Sequence, residues 1–111
     1  IFTKGLEGVV FGMWCAHKEG KMITANTRPL LTYCNNNGKT TNNYPENPNG
    51  SKYGCAGVCS ADGRHLALMP HPERSYYKWQ LPWVPSDYDV KSNYTPWRQL
   101  FINAYKWSDS N

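Results

Sequence analysis

Leu66-Ala67-Leu68-Met69-Pro70-His71-Pro72-Glu73-Arg74 is the stretch on which the reading of this chain turns. Its first four residues form an apolar run and read as a short buried strand. Pro70 and Pro72 lack the backbone donor that a central strand requires, so the chain must leave the sheet at Pro70. His71 and Glu73 are thereby carried onto a stiffened loop at the strand's end. A residue before proline is pushed toward extended torsions, and an extended backbone puts positions two apart on one side. The stretch therefore predicts an imidazole held beside a carboxylate. A histidine so placed can take a proton from a thiol or hydroxyl while the carboxylate fixes its tautomer, as nucleophilic catalysis requires. The plainer alternative is a strand-capping histidine, with Glu73 paired to Arg74 or to solvent. The chemistry of these nine residues leaves both open.

Outward from this stretch the chain reads as strands, then loop, then helix. Asp62-Gly63 is a hairpin signal between residues 53–60 and 65–69, so an antiparallel pair is expected to deliver His71 to a sheet edge. Residues 9–16 are β-prone, and residues 30–34 form a short apolar segment before an Asn-rich turn that ends at Gly38. Residues 40–51, rich in Asn and Pro, predict a surface loop. Residues 76–94 are rich in proline and aromatics and predict irregular structure. Thr95 suits a helix N-cap and Pro96 a first turn. Trp97, Leu100, Phe101, Ala104 and Trp107 recur at helical spacing, which predicts a terminal amphipathic helix packed on the sheet.

Composition narrows the function classes. The chain has 111 residues, 40% hydrophobic and 14% aromatic, enough for one small core. The net charge of +4 is spread over scattered lysines and arginines, so no basic stripe for nucleic acid is expected. No membrane-spanning apolar run and no signal-peptide pattern occur. Beginning at Ile1 and entering apparent core sequence at once, the chain reads as the C-terminal part of a longer polypeptide. Four cysteines and two Asn-x-Ser/Thr sequons, at Asn49 and Asn93, raise a secreted disulfide module as an alternative. Cys15 and Cys55 lie in apolar, strand-like contexts, and Cys55-x-x-x-Cys59 lacks the paired spacing of a zinc site. Reduced structural cysteines in a cytoplasmic protein, with no metal, are the expectation.

Met69-Pro70-His71-Pro72-Glu73-Arg74 resembles the His/Glu motif of class I, triad-type glutamine amidotransferases. More narrowly, it is similar to the glutaminase domains that close large purine-biosynthetic enzymes. Further segments agree in order: Gly5-Leu6-Glu7-Gly8, Trp14-Cys15-Ala16-His17-Lys18-Glu19-Gly20, Tyr44-Pro45-Glu46-Asn47-Pro48-Asn49-Gly50-Ser51, Ala56-Gly57-Val58-Cys59-Ser60, Asp62-Gly63-Arg64-His65, Trp79 and Pro96-Trp97-Arg98-Gln99-Leu100-Phe101-Ile102-Asn103-Ala104. Together they cover nearly the whole chain.

The resemblance implies an α/β, flavodoxin-like fold of which residues 1–111 are the C-terminal portion, strand-rich with a terminal helix. It implies glutamine as substrate, with His71 and Glu73 as catalytic partners of a cysteine. It implies ammonia transfer to an ATP-dependent synthetase domain of the same polypeptide in de novo purine biosynthesis. ATP and Mg2+ are expected in that domain and no cofactor in this segment. His17 and Glu19 match family positions; they are expected to line the glutamine pocket or the synthetase interface, or to be structural.

Two departures accompany the likeness. The family's nucleophile sits on a Gly-x-Cys-x-Gly elbow between strand and helix. Gly54-Cys55-Ala56-Gly57 comes nearest but has the wrong spacing and leads into a strand, so the nucleophile is expected upstream and this segment alone is expected to be inactive. Residues 21–28 are shorter than the family pattern, and Lys18 replaces a usual glycine. A non-catalytic, amidotransferase-like binding homologue is the remaining alternative.

Overall fold

The computed structural model describes residues 1–23, 28–85, 88 and 91–110. Two compact units divide the chain: Cys15–Pro70, and Ile1–Trp14 together with His71–Asn111.

The first of these is built on a three-stranded antiparallel sheet, β1 (Leu31–Thr32), β2 (Cys55–Cys59) and β3 (Leu66–Leu68), in the order β1-β2-β3. The predicted hairpin is present, with Gly57 opposite Leu68, Val58 opposite Ala67 and Cys59 opposite Leu66. Its turn is held by Asp62, whose Oδ1 accepts from Ser60 Oγ at 2.6 Å and from Arg64 N at 3.1 Å. The strand before Pro70 is not buried as expected. Leu66 and Leu68 are half-buried and Ala67 is exposed, because β3 has one neighbour among the described residues and lies at the sheet edge.

Burial centres on β2 instead, where Cys55 and Ala56 are enclosed together with Tyr33. The strand also starts later than the sequence suggests. Residues Lys52–Gly54 form a single 3-10 turn in which Tyr53 and Gly54 both take positive φ, which no strand residue does. Space alone would demand glycine at 54: a Cβ there would fall 2.4 Å from Thr40 Cγ2 and 3.0 Å from the Thr41 carbonyl oxygen.

The loop of residues 40–51 carries a buried polar staple. Asn47 donates to the carbonyls of Thr41 and Ser51 at 3.1 and 3.0 Å and accepts from Ser51 N at 2.9 Å. An amide side chain can be enclosed only when so satisfied. Of the shortened stretch at residues 21–28, positions 24–27 lie outside the described residues.

The other unit packs around α1 (Arg98–Ser110). Thr95 caps it as expected, accepting from Trp97 N at 3.3 Å, and its carbonyl accepts from Arg98 N. Trp97 and Leu100 are buried, and Leu100 alone contributes about 1.5–3 kcal/mol of hydrophobic stabilisation. Phe101 is exposed rather than enclosed, although its ring meets Tyr76 edge-on at 5.5 Å. Asn103 ties the helix to the N-terminal segment by donating to the carbonyls of Phe2 and Lys4.

The predicted strand over residues 9–16 is absent. Only Trp14 finds a ladder partner, His71, and Val9 and Val10 are exposed; a β-prone segment without a neighbour cannot form a strand. The described part of residues 76–94 is irregular apart from the 3-10 turn Lys78–Gln80 and an isolated Tyr77–Tyr94 bridge. Residues 86, 87, 89 and 90 lie outside the described residues. No helix among the described residues is long and apolar enough to cross a membrane.

Candidate active site

His71 is the first residue after the sheet is left at Pro70, and its torsions (φ −111°, ψ 94°) are extended, as the following proline requires. Extension stops there. Pro72–Arg74 form one 3-10 turn, closed by Ser75 N donating to the Pro72 carbonyl at 3.0 Å. The turn, rather than a shared strand face, swings Glu73 back until its Oε1 lies 2.6 Å from His71 Nδ1. The predicted pair is therefore present, brought together by a different backbone than the sequence suggests.

That short contact places the imidazole proton on Nδ1, facing the carboxylate, and leaves Nε2 as the acceptor. No described residue bonds Nε2, and the histidine side chain is 31% exposed, so a group outside can reach it. Partial burial pulls the Glu73 carboxyl upward. The His71 hydrogen bond, a backbone hydrogen bond and the charges of His71 and Arg74 outweigh this and hold it below the usual carboxylate value.

Residues with no site role in the sequence-based expectations surround the pair. His71 N donates to the Trp14 carbonyl at 2.8 Å. Ser75, wholly enclosed, accepts from Trp14 N at 2.9 Å and donates to the His71 carbonyl at 3.1 Å. Gln80 donates to the Glu73 carbonyl at 3.3 Å, while its Oε1 accepts from the backbone of Tyr76 and Tyr77. Nothing in the local pattern at Gln80 or Trp14 announces this; Ser75 could have been suspected only from its place directly after the motif.

His17 and Glu19 belong to the other unit and do not bond each other. The His17 ring is held between Asn49 Nδ2, 3.1 Å from Nδ1, and the Tyr33 hydroxyl, 3.3 Å from Nε2. An amide NH2 can only donate, so Nδ1 accepts and Nε2 carries the proton. The same NH2 group, whose two protons are shared among three acceptors, also donates to the carbonyls of Lys18 and, at 2.7 Å, Gly20. It thus clasps a turn in which Lys18 takes the left-handed region at φ 48°. Asn49, read from the sequence as a glycosylation sequon, has its amide nitrogen committed to this clasp. Glu19 is exposed to solvent.

No cysteine of this chain is presented as a nucleophile. Cys55 is fully buried in β2, the central strand of the sheet, and not on an elbow. Burial pushes the Cys34 thiol up; Cys15 is raised for the same reason, with a Tyr33 hydrogen bond opposing. Tyr33 itself is pushed up to about 12 by burial and by the neighbouring Cys15 and Cys55. Cys15, expected as an apolar strand residue, is exposed as a residue, although its thiol is partly enclosed. No disulfide joins the four cysteines, and no group of three or more His, Cys, Asp or Glu that could hold a metal gathers among the described residues.

Comparison with known proteins agrees with the motif. The sequence profile of the CobB/CobQ-like glutamine amidotransferase domain matches residues 1–108. A probable phosphoribosylformylglycinamidine synthase, chloroplastic/mitochondrial, of Arabidopsis thaliana is 45% identical over 99% of the chain. The phosphoribosylformylglycinamidine synthases of Homo sapiens and Dictyostelium discoideum are 44% and 40% identical over 97% and 99% of it. The chain spans 9% of the length of each of these relatives. The three alignments run over 122, 118 and 126 positions, more than the chain's 111, so the relatives carry residues that this chain lacks.

Proposed function

We infer the function from membership: this chain belongs to the CobB/CobQ-like glutamine amidotransferase domain family. It serves as the C-terminal part of a flavodoxin-like, class I glutaminase domain in a cytoplasmic phosphoribosylformylglycinamidine synthase of de novo purine biosynthesis. The observation that carries this reading is the 2.6 Å contact between His71 Nδ1 and Glu73 Oε1, with Nε2 left to act on a substrate or nucleophile. The identity to synthases along nearly the whole chain supports the choice of enzyme. The exposed, β-prone Val9 and Val10 fit a strand whose neighbour lies elsewhere in the polypeptide.

The chemistry follows from the pair. A cysteine from another part of the polypeptide loses its proton to His71 Nε2 and attacks the side-chain amide carbon of glutamine. Glu73 keeps the ring oriented and stabilises its charged form. As the carbon–nitrogen bond breaks, His71 returns the proton to the departing ammonia, leaving a glutamyl thioester. Water, deprotonated by the same nitrogen, cleaves the thioester to glutamate and restores the thiol. Ammonia would pass to a synthetase domain of the same polypeptide, where ATP with Mg2+ would take up the carbonyl oxygen of the formylglycinamide substrate as phosphate and so leave the amidine. His17 and Glu19 remain candidates for the glutamine pocket or the synthetase contact.

His71→Ala in the full-length protein tests the reading. Glutamine-dependent synthesis is expected to be lost while ammonia-dependent synthesis persists. Glutamine turnover at the wild-type rate would remove His71 from the mechanism.

A further inference from the structure

We propose that Ser75 is a positioning residue for the His71–Glu73 pair, acting by holding the backbone of His71 apart from that of Trp14. The inference rests on the glutaminase reading above. In a hydrogen-bonded antiparallel pair the two residues exchange both of their N–H to carbonyl bonds directly. Trp14 and His71 form such a bridge, yet only one half of the exchange is direct: His71 N donates to the Trp14 carbonyl at 2.8 Å. The return half runs through a side chain. Trp14 N donates to Ser75 Oγ at 2.9 Å, and Ser75 Oγ donates to the His71 carbonyl at 3.1 Å.

The hydroxyl is thus inserted as a spacer on one side of the bridge. This opens the pair at the His71 carbonyl, which is also the group that accepts Arg74 N at 3.2 Å and so begins the turn that returns Glu73 to the imidazole. Ser75 is itself fixed. It is 0% exposed, its N–H closes the turn on Pro72, and its carbonyl accepts from the Thr95 hydroxyl at the start of α1. One serine therefore links the helix start, the Trp14 backbone and the histidine backbone.

Alanine at this position leaves Trp14 N–H without its acceptor and the His71 carbonyl without one donor. The bridge must then close or shift, and the imidazole moves with its backbone. Because a displacement of about an ångström in a catalytic group costs up to about 100-fold in rate, Ser75→Ala is expected to lower glutamine-dependent kcat by roughly 10- to 100-fold. The KM for glutamine should stay within about twofold, since no ground-state binding contact is removed.

The test uses the full-length protein and measures glutamine-dependent and ammonia-dependent synthesis for Ser75→Ala, Ser75→Thr and His71→Ala. Support is a kcat loss in Ser75→Ala that ammonia does not share and that Ser75→Thr, which keeps the hydroxyl, largely repairs. An unchanged kcat in Ser75→Ala overturns the proposal, as does a loss equal in both assays, which marks misfolding rather than positioning. A loss confined to KM also overturns it. If His71→Ala retains glutamine turnover, the glutaminase reading fails; if only Ser75→Ala is silent, the spacer role fails alone.

Discussion

His71 Nδ1 and Glu73 Oε1 meet at 2.6 Å although the two residues occupy different backbone conformations, one extended and one in a 3-10 turn. A proline stands on each side of the histidine, and both matter. Pro72 holds His71 extended and, at the first position of the turn, supplies the fixed φ that a tight helix start needs. The pair is thus a property of the backbone before it is a property of two side chains.

The charge on Glu73 can be separated from its shape. Glu73→Gln keeps an acceptor for Nδ1 but removes the charge that stabilises a protonated ring. We expect glutamine-dependent kcat to fall by about 100- to 10,000-fold, as for an orienting carboxylate elsewhere. Steady-state kinetics with saturating glutamine decide it, and a loss below about threefold would contradict the orienting role.

The same carboxylate gives a pH dependence of known sign. Its folded value lies below the unfolded 4.5, so its stabilising contribution is complete above that pH. The contribution is lost as pH falls through the lower folded value. Carbon NMR of the Glu73 carboxyl should therefore show a midpoint under 4.5; a midpoint at or above it would reverse the sign.

Gly54→Ala should destabilise the unit that holds the sheet. The new methyl group must share space with Thr40 Cγ2 at 2.4 Å and the Thr41 carbonyl at 3.0 Å, on a backbone at φ +64°. A cost of about 1–3 kcal/mol is expected. Denaturant or thermal unfolding measures it, and unchanged stability would mean that the 3-10 turn relaxes freely.

Asn49→Ala should loosen the His17 turn. Three acceptors lose one donor group, and a left-handed Lys18 loses the clasp that holds it. The expected cost is about 1–3 kcal/mol. Hydrogen exchange at Gly20, whose N–H closes the turn on the His17 carbonyl, should accelerate. Unaltered protection there would show that the turn holds without Asn49.

Sequence reading succeeded where one local rule acts alone. The Asp62-Gly63 hairpin, the exit from the sheet at Pro70 and the Thr95 cap each depend on neighbours within a few residues. It failed for residues 9–16, where the pattern is right for a strand but strand formation needs a partner from elsewhere. It also misjudged Leu66 and Leu68, since apolar character says nothing of edge or centre.

By itself the sequence determined the family, the hairpin, the helix and the identity of the His71 and Glu73 pair. Their motifs are short, and their physics is that of proline, glycine and capping hydroxyls acting on adjacent backbone. Tertiary structure alone decided what holds those residues in place. Ser75 reaches Trp14 across 61 positions, and Asn49 reaches Lys18 across 31. Such bonds join groups that any chain possesses in abundance, and only packing selects which of them meet.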